Sequence, residues 1–119
     1  MLNDAEYLFS KGSYKSGNNR AYYSIFYAIR AVLALEGIDY KKHSGVIQHF
    51  QRVYVKTGAF DKRYSRIIME ANEIRNASDY DDFYLASKSE TEEQICGARE
   101  FLTAVKAFLE IHLDDSGRR

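Results

Sequence analysis

Residues 73–84, EIRNASDYDDFY, gather the side chains of this chain best suited to chemistry. Arg75 offers a planar fork of donors that fits a phosphate or a carboxylate. Asn76 adds an amide, Asp79 a carboxylate, and Tyr80 and Tyr84 two phenols. Such a set can bind an anion. It can equally form a salt-bridged helix end, since Asp79 stands one helical turn from Arg75. Two other stretches could contribute. In KKHSG, Lys41, Lys42 and His43 precede an expected helix start, where backbone N–H groups and positive side chains can converge on one phosphate. Asn18, Asn19 and Arg20 fall in the first turn of another helix, near its positive dipole end. Each also has an ordinary reading, as a basic loop and as exposed polar residues at a helix start.

Other chemistries have little support. His43 and His49 are six residues apart and would face different sides of one helix, and His112 lies on another. No His-x-x-x-His pair or cysteine partner accompanies them, so no metal site is expected. Cys96, the single cysteine, cannot form an internal disulfide and is expected to be a small buried residue. A glycine-rich phosphate loop and a Gly-x-Ser-x-Gly elbow are both missing from the sequence.

These residues need helices to position them, and helical spacing recurs along the chain. The 119 residues contain no proline and are 45% hydrophobic, enough for one domain with a real core. A short helix is expected over Asp4–Ser10, followed by a turn over Lys11–Ser16. A second spans about Gly17–Glu36 and stops at Gly37, with Tyr22, Ile25, Phe26, Ile29, Val32 and Leu33 on one stripe. Tyr23, Tyr27, Ala31 and Ala34 form a second stripe, so this helix should be central or shared with a partner. Its aromatic residues could stack bases, but at helical spacing they fit a core or a dimer interface.

Ser44 is the expected cap of a third helix carrying Ile47, Phe50, Val53 and Tyr54 up to Gly58. A fourth begins near Phe60, presents Tyr64, Ile67, Ile68, Ala71 and Ile74, and ends in the arginine stretch. Ser89 and Glu92 have capping-box spacing for a last helix, whose inner face is Ile95, Ala98, Leu102, Val105, Leu109 and His112. The expected architecture is all-α: an antiparallel up-and-down bundle of four main helices plus the short first one, over residues 1–113, with a flexible tail at 114–119.

The net charge is zero but unevenly distributed. Tyr40–Ile68 holds seven bases and one acid, whereas Met69–Glu93 holds eight acids and two bases. Complementary solvated faces, within or between subunits, explain this, as does a basic surface that meets phosphates. Apolar runs such as AVLAL are far shorter than the roughly 20 residues that span a bilayer, and the N-terminus lacks a signal pattern. The expected location is cytoplasmic, away from membranes.

NNRAYYSIFYAIRAVLALEG, KKHSGVIQHF and VKTGAFDKRYSRIIMEANEIRNASDY, in that order, resemble the HEPN family over about residues 10–110, and most closely its group of small prokaryotic proteins. The resemblance implies a bundle that commonly forms homodimers, with a polar motif lining a shared cleft. In active members the motif is Arg, four to six residues, then His, and it cleaves RNA without a metal or other cofactor. The arginine holds the phosphate and the histidine helps the ribose 2′-hydroxyl attack it.

Arg75 carries over as the motif arginine and Asn76 as the polar residue after it, but Tyr80 stands where the histidine would be. Phenol titrates near pH 10 and imidazole near 6.5, and general acid–base help is worth about 10²–10⁴-fold in rate. His43 could take the role if folding brings it to Arg75. The family also implies a minimal nucleotidyltransferase as partner in a toxin–antitoxin pair, which in some cases adenylylates a tyrosine near the motif; Tyr80 and Tyr84 are the candidates. Three expectations follow: a module that binds a nucleotide or RNA phosphate through Arg75, Asn76, Asp79, Arg20, Lys42 and His43; a metal-independent endoribonuclease using Arg75 with Tyr80 or His43; or a structural dimer seam. The first helix is shorter than in relatives.

Overall fold

A computed structural model describes residues 2–80 and 84–117, except the side chains of 80 and 114–117. Five α-helices follow one another: α1 (Leu2–Ser10), α2 (Tyr14–Ala34), α3 (His43–Phe50), α4 (Lys62–Tyr80) and α5 (Lys88–Gly117). α3 continues into a π-helical turn, Gln51–Val55. No strand occurs among the described residues. α2 is the central element, packed against α1, α3, α4 and α5. Its burial explains the first apolar stripe: Tyr22, Ile25, Phe26, Ile29, Val32 and Leu33 are all buried. Of the second stripe only Tyr23 packs partly against that core, whereas Tyr27, Ala31 and Ala34 are exposed because they face away from it.

Several boundaries differ from the sequence expectation. α2 starts at Tyr14 because Gly17 lies inside the helix, its N–H bonded to the Ser13 carbonyl. A Cβ on Gly17 would lie 3.0 Å from Thr91 Cγ2, so this glycine permits close approach of α5 rather than opening a helix. Lys42, not Ser44, occupies the cap position of α3: its backbone is extended and its carbonyl accepts from Gly45 and Val46. The cap of α5 is Ser87, two residues before the expected one. Ser87 Oγ accepts from the Glu90 N–H, which places the capping-box spacing at Ser87 and Glu90. Gly37 does end the turn after α2, with φ of 70°.

On α5 the buried positions are Ile95, Ala98, Phe101 and Val105, with Leu102 and Leu109 only partly covered and His112 exposed. Phe101 turns inward because an aromatic nest receives it. Phe50, Phe60 and Tyr64 ring centroids lie 5.6, 6.2 and 5.7 Å away. Cys96 is exposed, contrary to the expected burial, because it falls outside the Ile95–Ala98 stripe. α5 also runs to Gly117, past the expected end at Leu113, since no earlier glycine or proline interrupts its last turns. No described helix is long and apolar enough to cross a membrane.

Candidate functional site

On α4, Tyr64, Ile68 and Ala71 are buried at successive helical turns, and Arg75 is the next position on that stripe. Its side chain therefore points along the core face toward α2 and keeps only 22% exposure. The guanidinium carbon stands 4.9 Å from the Tyr22 ring centroid and 5.6 Å from that of Tyr23. The two tyrosines supply π faces that tolerate a desolvated cation.

His43 reaches the same place from the first position of α3. Its Nδ1 lies 3.2 Å from Arg75 Nη1 and 3.0 Å from the Tyr22 hydroxyl. Both neighbours can donate, so Nδ1 is the acceptor and the ring proton of neutral His43 belongs on Nε2. The ring stacks on Phe26 with centroids 3.9 Å apart. Burial, then the positive charges of Arg75 and Arg30, hold the His43 imidazole below its ordinary titration range. Burial raises the Tyr22 phenol, against the opposing pull of Arg75. Near neutrality Arg75 is thus a cation beside a neutral imidazole and a neutral phenol.

Asp79 is the carboxylate closest to this cation in the described structure. Its Oδ2 is 3.5 Å from Arg75 Nε, near enough for attraction, but the Nε–H is buried without a hydrogen-bond partner. Ser78 Oγ, on the same stripe, is likewise buried and unpartnered. An oxyanion could accept from donors of this kind.

A second network fixes the segment that delivers His43. Tyr40 donates its hydroxyl to His49 Nδ1 at 2.9 Å, and His49 Nε2 donates to Glu36 Oε2 at 3.1 Å. Tyr54 donates to the same carboxylate oxygen at 2.6 Å. Gly45 permits the Tyr40 ring to approach, since a Cβ there would lie 3.0 Å from Tyr40 Cβ and Cγ. His43 and His49 do face different partners, and the described residues contain no group of three or more His, Cys, Asp or Glu able to hold a metal.

Of the residues singled out in the sequence, folding brings Arg75, Asp79 and His43 together. Lys42 is exposed beside them at the α3 cap. Asn76 is exposed about 100° around α4 from Arg75, so it borders the cluster rather than joining it. Arg20 is exposed on α2, with no hydrogen bond from its side chain among the described residues. Tyr80 closes α4, but its side chain lies outside the described residues. Tyr84 belongs elsewhere: its hydroxyl donates to Glu90, which also accepts from Asn18 Nδ2 at 3.1 Å. Burial and the Glu90 carboxylate push its phenol well above the usual range. Tyr22, Tyr23 and Phe26 were read from the sequence as core or interface residues, yet they also wall this site. Their helical spacing marks them as inward-facing without showing that an arginine will stack on them.

The fold and the site define an all-α bundle with a half-buried arginine–histidine cluster between its second, third and fourth helices. The HEPN domain family matches residues 1–108, and the chain belongs to that family. It is similar to a UPF0332 protein of Thermotoga maritima, 33% identical over 109 residues, covering 92% of this chain and 83% of that one. It is also similar to two proteins of Methanocaldococcus jannaschii that carry the name "Putative toxin". One is 34% identical over 108 residues, 91% of this chain and 74% of the relative. The other is 33% identical over 108 residues, 91% of this chain and 80% of the relative.

Proposed function

We propose that this chain is the phosphate-binding HEPN module of a toxin–antitoxin-type pair, and that it grips an RNA phosphate through Arg75. The observation that carries this reading is the state of that guanidinium. It is largely desolvated between two tyrosine faces and a neutral histidine, and no described carboxylate is hydrogen-bonded to it. A bound phosphate would add a second negative charge beside that of Asp79 and accept from its donors. Lys42 at the mouth adds positive charge, and Asp79 orients Arg75. The module works as a homodimer with a minimal nucleotidyltransferase as antitoxin. Tyr80 is the preferred acceptor of an adenylyl group, because modification of Tyr84 must first break its bond to Glu90.

One contact favours a second reading, metal-independent RNA cleavage. His43 lies at hydrogen-bond distance from Arg75 and is kept neutral, so it can serve as a base. When a phosphate draws the guanidinium away and the Tyr22 hydroxyl rotates off, Nδ1 becomes free to take the 2′-hydroxyl proton. The 2′-oxygen then attacks the adjacent phosphorus, the bond to the 5′-oxygen breaks, and that oxygen takes a proton from Tyr80 or water. The products are a 2′,3′-cyclic phosphate and a 5′-hydroxyl.

A mixed RNA pool incubated with excess chelator separates the readings. Cleavage lost in both Arg75→Ala and His43→Ala supports the nuclease. RNA binding without turnover, lost in Arg75→Ala, supports the binding module. Absence of both, with a destabilised dimer in Arg75→Ala, supports a structural seam and refutes the proposal. Mass spectrometry after co-expression with the nucleotidyltransferase tests modification, and unmodified Tyr80 and Tyr84 reject it.

A further inference from the structure

The basic stretch noted in the sequence contains a groove that the Arg75 cluster does not use. It lies between the α3–π segment and α4, has a volume of about 450 Å³, and is lined by Ile47, Gln51, Arg52, Lys56, Ser65 and Met69, among others. That size is within the range of small-ligand sites, about 300–1,000 Å³. Its walls are mixed in a particular way. Ile47 and Met69 give apolar surface, and Met69 is 54% exposed. Arg52 and Lys56 are exposed at the rim, and no acid is among the described residues that line the groove.

Gln51 supplies the specific feature. Its Nε2 donates to the Ser65 carbonyl at 3.4 Å, which determines which end of the amide faces α4. Its Oε1 is then buried with no donor. A buried acceptor without a donor costs free energy, which is recovered when the side chain turns outward and a ligand N–H reaches it. The π turn helps to gather the set. Lys56 N–H bonds to the Gln51 carbonyl at 2.8 Å, and this wider turn brings the two positions closer to one face. In an ordinary 3.6-residue turn they would diverge.

The groove's α3 wall lies on the helix that also carries His43. Ile47 is one turn along α3 from His43, and Gln51 is about 12 Å from it at 1.5 Å per residue. A dinucleotide whose one phosphate sits at Arg75 falls short of that distance, whereas a hexanucleotide spans it. We infer that this groove receives a base of the same single-stranded RNA whose phosphate is held at Arg75, with Met69 and Ile47 against its face, Gln51 Oε1 accepting from its edge N–H, and Arg52 and Lys56 on the adjoining phosphates. The inference rests on the phosphate-binding reading above. Sulfur and aliphatic contacts suit the flat base, and the cationic rim complements the backbone.

The test measures fluorescence anisotropy with labelled RNA dinucleotide and hexanucleotide, the latter also with an abasic residue at each position in turn. Proteins are wild type, Arg75→Ala, and the triple variant Arg52→Ala, Lys56→Ala, Met69→Ala, all checked for folding by circular dichroism. The triple variant should bind the hexanucleotide at least tenfold more weakly and the dinucleotide as wild type does. One abasic position should weaken wild type by a similar factor and leave the triple variant unaffected. If the triple variant binds the hexanucleotide like wild type while Arg75→Ala does not, the groove assignment fails and the phosphate site stands. If Arg75→Ala binds both RNAs like wild type, the phosphate site itself fails, and the groove inference with it. Saturable binding of free adenosine monophosphate that the triple variant loses, without any dependence on RNA length, overturns the strand in favour of a free nucleotide.

Discussion

Replacing Arg75 by alanine removes the half-buried cation of the cluster, and the structure sets the scale of the loss. Arg75 keeps 22% exposure and points its donors toward His43 and Asp79. A hydrogen bond to a charged group contributes about 1.5–3 kcal/mol, so RNA affinity should fall by about 10–150-fold. The salt dependence should change as well. One phosphate fewer is neutralised, which reduces the slope of log K against log[salt] by about 0.7 for a single strand. Arg75→Lys retains the charge without the planar fork, and should fall between wild type and alanine in affinity while keeping the wild-type slope.

Titrating labelled RNA over a salt series measures both quantities, and thermal unfolding monitors the fold. Loss of the stacking on Tyr22 and Tyr23 should lower stability by about 0.5–2 kcal/mol, which leaves the bundle folded. The His43 ring provides an independent check by NMR. With Arg75 gone, one cause of its depressed titration is removed, so its midpoint should rise, although burial and Arg30 continue to oppose protonation. An alanine variant with wild-type affinity and slope but lower stability would show that Arg75 is a packing residue and would refute the phosphate assignment.

Other outcomes follow from the supporting contacts. Gly45→Ala gains about 1 kcal/mol of helix propensity, but its Cβ must displace Tyr40, endangering the bond to His49 and adding overpacking worth about 1–3 kcal/mol. Urea unfolding should show net destabilisation of about 1–2 kcal/mol, and a more stable variant would refute the close approach. The Tyr54 hydroxyl, assisted by His49, holds the Glu36 carboxyl below its ordinary range. Its folded-state value is the lower one, so its contribution is complete above about pH 4.5 and disappears as pH falls through that depressed value. Glu36→Gln should therefore flatten this part of the acid limb in a pH series of denaturation midpoints; an unchanged limb would exclude the Tyr54–Glu36 bond as its source. Cys96, being exposed, should react stoichiometrically with a thiol reagent under native conditions, and protection until unfolding would contradict its position on α5.

The helices were legible because a 3.6-residue period needs only local sequence. The α2 stripe from Tyr22 to Leu33 and the α4 stripe through Ile68 and Ala71 are both buried as the spacing implies. Chain ends of helices were less legible. Ser87 and Ser89 are equally good caps in isolation, and packing of α5 against α2 at Gly17 and Thr91 favours the register that begins at Ser87. On α5, Leu102 and Phe101 are adjacent and both apolar, so only the aromatic nest around Phe50 and Phe60 decided which is fully buried.

The sequence by itself determined that this is a helical chain whose anion-binding residue types gather in the stretch around Arg75. Tertiary structure decided which of them meet. Arg75 and His43 are 32 residues apart, and their 3.2 Å approach depends on α3 and α4 both packing across α2, with Tyr22 between them. Helical periodicity specifies the direction of a side chain around its own axis. It carries no information about the neighbouring axis, and contacts between helices require that second coordinate.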